Sequence, residues 1–141
     1  MIILDTNIIS EPLRSKPAES VVTWLDAQVV ETLYLTTISL AEVRSGIACL
    51  PNGKRRRALH DRFEGEIVPL FRGRILALDE PATTAYASLR SRARTQRLAI
   101  GDFDALIASI ATVTGFTVAT RDTAPFVAAQ VNVINPFGEA G

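Results

Sequence analysis

Cysteine occurs once in the 141 residues, at Cys49, and histidine once, at His60. A single cysteine excludes an intramolecular disulfide, and a reducing compartment is the simplest reading. One thiol and one imidazole are too few for a thiolate zinc site, and a ribonuclease mechanism that shuttles protons between two histidines is excluded as well. Lysine is nearly absent too: only Lys16 and Lys54 among fifteen basic residues, the rest being arginine. Arginine is the side chain whose planar fork grips phosphate with two parallel bonds. No membrane-spanning run exists, since the longest uncharged stretch, 105–120, carries Gly115 and four threonines. No basic segment precedes the apolar start, and Asp5 follows almost at once, unlike a signal peptide. Net charge is zero, so the molecule as a whole is no electrostatic magnet for nucleic acid. A soluble, cytoplasmic protein with no membrane association is expected.

The chain does have apolar residues in quantity, 48% of the total, which is ample for a packed core and too much for disorder. Its length favours one domain, 1–141. Ile2, Ile3 and Leu4 form a continuous apolar run, as in a central strand buried on both faces. A turn is expected through Asp5, Thr6 and Asn7, then a loop bracketed by Pro12 and Pro17. Further strands are expected at 33–37, 74–78, 116–119 and 131–134. Helices are expected at 19–28, 39–50, 54–66, 81–97, 102–114 and 124–129, with stop signals at Pro51-Asn52-Gly53 and Gly115. Strands alternating with helices imply an α/β fold with a largely parallel sheet.

Four acids stand where an apolar strand gives way to a helix: Asp5, Glu42, Asp104 and Asp122. Strand C-terminal ends share one edge of a parallel sheet, the edge where ligands bind. Each acid has a local explanation. Ser39 and Glu42 fit a capping box. Asp102 fits a helix N-cap, Asp104 a first-turn acid favoured by the helix dipole, Asp122 the cap of a short turn, and Asp5 an Asx-turn. Caps, however, do not require all these acids to share one edge. Several carboxylates in one pocket repel unless a cation neutralises them, and an oxygen-only set suits Mg²⁺ or Mn²⁺. Such a site activates water and stabilises charge on a phosphoryl oxygen. The arginine-rich stretches 54–74 and 90–97 offer phosphate contacts, with a solvated helix face as the plain alternative for Arg55, Arg56 and Arg57.

Asp5-Thr6-Asn7 after an apolar start, Ser39-Leu40-Ala41-Glu42 followed by Gly46, Asp104-Ala105-Leu106-Ile107-Ala108, and Thr120-Arg121-Asp122 resemble the PIN-domain ribonucleases. The closest likeness is to the VapC and FitB-like toxins of bacterial toxin–antitoxin pairs, and Val133-Ile134-Asn135-Pro136 is similar to the FitB-like group. The motifs run in order along essentially the whole chain; the ordered set is specific where no single motif is. The resemblance implies a PIN-like three-layer domain, with a central, mostly parallel sheet of four or five strands flanked by helices. It implies a Mg²⁺-dependent endoribonuclease, with Mn²⁺ as substitute. Asp5, Glu42, Asp104 and Asp122 then correspond to the acidic quartet around the metal, with Asn7 and Thr120 as supporting polar residues. Asp102 is an additional acid, either the N-cap or the holder of an outer-shell water. RNA as substrate, a homodimer and a small VapB/FitA-like antitoxin are the implied partners.

Two readings compete. An aspartyl-phosphate phosphotransfer protein also places acids at strand ends, but phosphatases of that kind need a second Asp where Asn7 stands, and receivers need a strand-end lysine. A non-catalytic nucleic-acid or partner-binding module would not require the intact quartet. His60 is expected on the surface, Cys49 packed as a small apolar residue, and Arg44 in a salt bridge.

Overall fold

A computed structural model describes residues 1–138; the last three positions of the expected 1–141 domain lie outside the described residues. The chain runs β1 (Ile2–Leu4), α1 (Thr6–Ser10), α2 (Glu19–Asp26), β2 (Leu33–Thr36), α3 (Thr37–Ala48), α4 (Lys54–Arg62), β3 (Ile75–Leu76), α5 (Glu80–Gln96), α6 (Asp102–Thr114), β4 (Thr117–Ala119), α7 (Thr123–Ala128) and β5 (Val133–Ile134). The five strands stand in the order β3-β2-β1-β4-β5, and every pair is parallel. β1 is central as its unbroken apolar run suggests: Ile3 pairs with Tyr34 on one side and Val118 on the other. The chain builds outward from β1 through β2 to β3, then returns to lay β4 and β5 on the opposite side. The strand order therefore reverses between β1 and β4, and a crevice opens at such a switch point beyond the strand C-termini.

Alternate residues of each strand serve opposite faces of the sheet. Ile3 and Val118 join Leu89, Ile107 and Phe126 in one apolar cluster. Leu4 and Ala119 join Ile8, Leu35, Val43 and Phe63 in the other. The sheet is thus the middle of three layers, in agreement with the expected fold, and has five strands.

Local signals account for most boundaries. α6 ends at Gly115, whose φ of 72° is the left-handed conformation that glycine adopts without penalty, and whose N–H closes on Ala111 O at 2.8 Å. Asp79 caps α5 by accepting the Ala82 N–H at 3.0 Å.

Three expectations change. The segment after Asp5 is the short helix α1 instead of a turn; it places Ile8 and Ile9 in the core. The α-helix expected at 54–66 ends at Arg62, and the chain widens through a π turn (Phe63–Ile67) before tightening into a 3₁₀ turn (Val68–Phe71). Pro69, which lacks an N–H, sits in that last turn, and the path buries Phe63 and Phe71. Cys49 is exposed, not packed. The Pro12–Pro17 stretch is anchored by Glu11, a buried carboxylate that accepts the Ala18 N–H at 2.9 Å. Among the described residues, no helix is long and apolar enough to cross a membrane.

Candidate active site

Asp5 leaves β1 with its N–H on Ala119 O at 2.9 Å, so the sheet ladder sets its backbone. Its carboxylate does two jobs. Oδ1 caps α1 by accepting the Thr6 N–H at 2.8 Å. Oδ2 accepts the Thr120 hydroxyl at 2.8 Å and Asn7 Nδ2 at 3.3 Å. The local role suggested by the sequence and the long-range role therefore coexist. Thr120, fully buried at the end of β4, gives its one proton to Asp5 and accepts the Asp122 N–H at 3.0 Å. Asn7 completes the join by accepting the Arg121 N–H on Oδ1 at 3.0 Å. Asn7 and Thr120 thus tie the β1 and β4 ends together across the switch point.

Glu42 lies on α3. The capping box does not form, because α3 begins at Thr37 and Thr36 caps it, accepting the Ser39 N–H at 3.1 Å. Glu42 turns to α1 instead, where the Thr6 hydroxyl donates to Oε1 at 2.8 Å. Ser39 Oγ lies 3.1 Å from the same hydroxyl. Thr6 and Ser39 are site residues that the sequence does not single out. Their signal is weak: a hydroxyl beside an acid, with partners 33 and 36 positions away.

Asp104 occupies the first turn of α6, as expected, but α6 follows α5 with no strand between them, so this acid comes from a helix-to-helix turn and not from a strand end. Gly101 and not Asp102 is the N-cap. Asp102 is 86% exposed and its carboxylate pairs with the Arg90 guanidinium, which also donates to Ile100 O at 2.7 Å and Tyr86 Oη at 3.2 Å. Arg92 donates to Ala128 O at 3.1 Å. These two arginines of the 90–97 stretch bind the protein's own groups, so neither is a free phosphate donor. Asp122 precedes α7, exposed, without capping it through its side chain. Arg44 forms the expected ion pair, with Glu64 at 2.7 Å, and His60 is exposed.

The acids sense one another. Burial pushes the Asp104 carboxyl up to about 6, and Asp5, Asp122 and Glu42 push it the same way. Burial raises Glu42 against the pull of the Thr6 hydroxyl, and Asp5 adds to the rise. Asp5 is raised by burial too, opposed by the Thr120 and Thr6 hydrogen bonds, with Asp122 adding repulsion. Half-buried Asp104 bears the most of this frustration, since no hydrogen bond offsets its repulsion.

A divalent cation suits this donor set. All four groups are carboxylates, without a nitrogen or sulfur ligand, and their mutual repulsion is what a cation relieves. Among the described residues no three Asp, Glu, His or Cys side chains close into a ready-made cage. Mg²⁺ keeps several waters and takes only one or two carboxylates directly, so it does not require such a cage. An apolar groove of about 320 Å³, lined by Leu25, Val30, Leu33, Ile67, Leu70 and Phe71 among others, includes none of the four acids.

The family model of the PIN domain matches residues 2–131. The chain belongs to the PIN-domain family. The PIN fold here is similar along its whole length to the toxin FitB of Neisseria gonorrhoeae, at 53% identity over 137 residues, 97% of this chain and 99% of that protein. It is 49% identical over 140 residues to the VapC ribonuclease Y4jK of Sinorhizobium fredii, covering 99% of this chain and 100% of that protein. The crystal structure of FitAcB from Neisseria gonorrhoeae superposes with a TM-score of 0.93 at 52% identity, over 97% of this chain and 99% of that one.

Proposed function

We propose that this PIN domain is an endoribonuclease that hydrolyses RNA phosphodiester bonds with Mg²⁺, or Mn²⁺ in its place, and acts in the cytoplasm as the toxin of a toxin–antitoxin pair. The observation that carries the reading is the electrostatic coupling of Asp104 to Asp5, Asp122 and Glu42 at the sheet's switch point. Its support outside the site is the near full-length likeness to a ribonuclease and to a toxin.

Asp5, Glu42, Asp104 and Asp122 are the residues that would hold the metal. A bound divalent ion lowers the pKa of a water and stabilises charge on a phosphoryl oxygen. The chain supplies the framework. Thr120, Thr6 and Asn7 fix the Asp5 carboxylate so that its orientation costs nothing at the moment of reaction. Thr6 holds one oxygen of Glu42 and leaves the other available. Asp104, pushed to about 6 without a cation, is the carboxylate whose repulsion a bound ion would relieve. Asn7 and Thr120 support the centre, while Asp102, paired to Arg90, braces the entry to α6. A small VapB/FitA-like antitoxin and a second copy of the chain are the proposed partners. A phosphotransfer role gains nothing: Lys16 and Lys54 both lie outside the strands.

The test is cleavage of a panel of labelled single-stranded RNAs by antitoxin-free protein in Mg²⁺, Mn²⁺ or EDTA, beside Asp104→Asn. Metal-dependent cutting that disappears in the variant is expected. A folded protein that binds no divalent metal and cuts nothing would favour the binding module instead.

A further inference from the structure

The acidic centre poses a problem for its own substrate. An RNA backbone carries a negative charge at every phosphate, and four carboxylates repel it. A protein solves this with a cation held close to the acids yet not consumed by them. Arg90, whose partner Asp102 opens the helix that carries Asp104, is already committed to Asp102, Tyr86 and Ile100.

Arg121 differs. It stands between Thr120 and Asp122, and its own N–H is bonded to Asn7 at 3.0 Å, so its backbone is part of the join that orients Asp5. Its side chain is exposed. Among the described residues no carboxylate pairs with it, although Asp122 is its neighbour in sequence. Instead its guanidinium carbon lies 4.7 Å from the centre of the Phe137 ring, within cation–π range. Both residues lie beyond the same edge of the parallel sheet, Arg121 after β4 and Phe137 after β5.

The platform under the arginine is fixed. The Phe137 N–H donates to Asn135 Oδ1 at 3.0 Å, and the Gly138 N–H closes the turn on Asn135 O at 3.1 Å. Gly138 has a φ of 90°, which suits glycine. Pro136 is buried, and Phe137 packs against the cluster that contains Leu4 and Ile8. A cation–π contact uses none of the guanidinium's N–H donors in a hydrogen bond, so they stay available for a bidentate phosphate contact.

We propose that Arg121, cradled on Phe137, grips a backbone phosphate of the RNA beside the scissile bond and so seats the strand on the acidic centre. Arg121 is a substrate-binding residue that reads charge and shape, not base identity. This rests on the nuclease reading above. The stacked phenyl ring makes the contact specific to arginine: lysine supplies the charge but neither the fork nor the flat face.

The experiment measures binding of a fluorescein-labelled, mixed-sequence, 20-nucleotide single-stranded RNA by anisotropy, across a series of salt concentrations, in Mg²⁺. The protein carries Asp104→Asn to silence cutting. Adding Arg121→Gln should weaken binding about tenfold and flatten the slope of log Kd against log salt by about 0.7, the value for one lost phosphate contact on a single strand. Arg121→Lys should restore the slope and only part of the affinity. Phe137→Leu should leave the slope and weaken binding severalfold. In the cleaving protein, Arg121→Gln should raise KM more than it lowers kcat. An unchanged slope in folded Arg121→Gln, with unchanged KM, overturns the proposal while leaving the nuclease intact. Wild-type protein that neither binds nor cuts any RNA overturns the nuclease reading and this inference with it.

Discussion

Replacing Asp104 by asparagine should abolish cleavage and at the same time make the metal-free protein more stable at pH 8. The carboxyl of Asp104 is raised from the usual 3.8 to about 6. The folded chain therefore binds this proton more tightly than the unfolded chain, and between those two values the native state holds more protons. Stability from this group is full below about pH 4 and is lost as pH rises through 6. Every tenfold difference in proton affinity between the folded and unfolded chain corresponds to about 1.4 kcal/mol, so the bare upper limit at pH 8 is near 3 kcal/mol. Asp104 is only partly buried, and solvent screening brings the expectation down to roughly 1–2 kcal/mol. Asparagine has nearly the same shape and never charges, so it recovers that amount. For a chain of this size the gain is a rise of roughly 3–8 °C in Tm. Thermal unfolding in EDTA measures it directly. At pH 4.5 the same comparison should shrink to about a third, since most of the wild-type Asp104 is then neutral in the folded state. Adding Mg²⁺ at pH 8 should reverse the order, stabilising wild type by mass action and the variant much less. A variant that is less stable than wild type in EDTA at pH 8, or equally advantaged at pH 4.5, would refute the argument that these acids are frustrated without a cation.

Thr6→Val removes the donor that holds Glu42 while keeping the side chain's shape; kcat should fall about tenfold, from the loss of roughly 1–2 kcal/mol of hydrogen bonding, with circular dichroism unchanged. Gly115→Ala forces a Cβ into a left-handed position and should cost about 1 kcal/mol, read as a lower urea midpoint with activity at 25 °C retained. Leu4→Ala opens the centre of the sheet and should cost about 2–5 kcal/mol, read in the same titration; a loss below about 1 kcal/mol would mean that the two faces repack freely.

What the residues reveal by themselves is whatever local chemistry decides. The bounds of α6 coincide with those expected from Asp102 and Gly115, because a left-handed glycine stops a helix wherever it falls. The central place of β1 follows from Ile2-Ile3-Leu4, which has no polar face to offer solvent. Strand order is not legible, since a run of apolar residues says how deeply a strand is buried and nothing about its neighbours. The helix α1 escapes a sequence reading because five residues ahead of Pro12 look like turn chemistry, and its stability comes from Ile8 and Ile9 in the core. Of the site, all four acids stand out in the sequence, whereas the hydroxyls of Thr6 and Ser39 do not. A capping box for Glu42 satisfies the local pattern, and only the tertiary approach of α1 redirects that carboxylate to Thr6. The sequence offers Asp102 the N-cap among its roles, but Gly101 takes that place and the Asp102 carboxylate pairs with Arg90.

The hydrogen bond from Thr120 to Asp5 joins positions 115 residues apart. At a synthesis rate of about 5–20 residues per second, β1 waits roughly 6–23 seconds before the partner strand that completes its far side has been made. Throughout that interval Asp5 lacks the hydroxyl that orients it, Asp122 does not yet exist, and the switch point has no second wall. The site proposed above is therefore completed late, by the arrival of β4. A centre built this way closes only after most of the chain has been made.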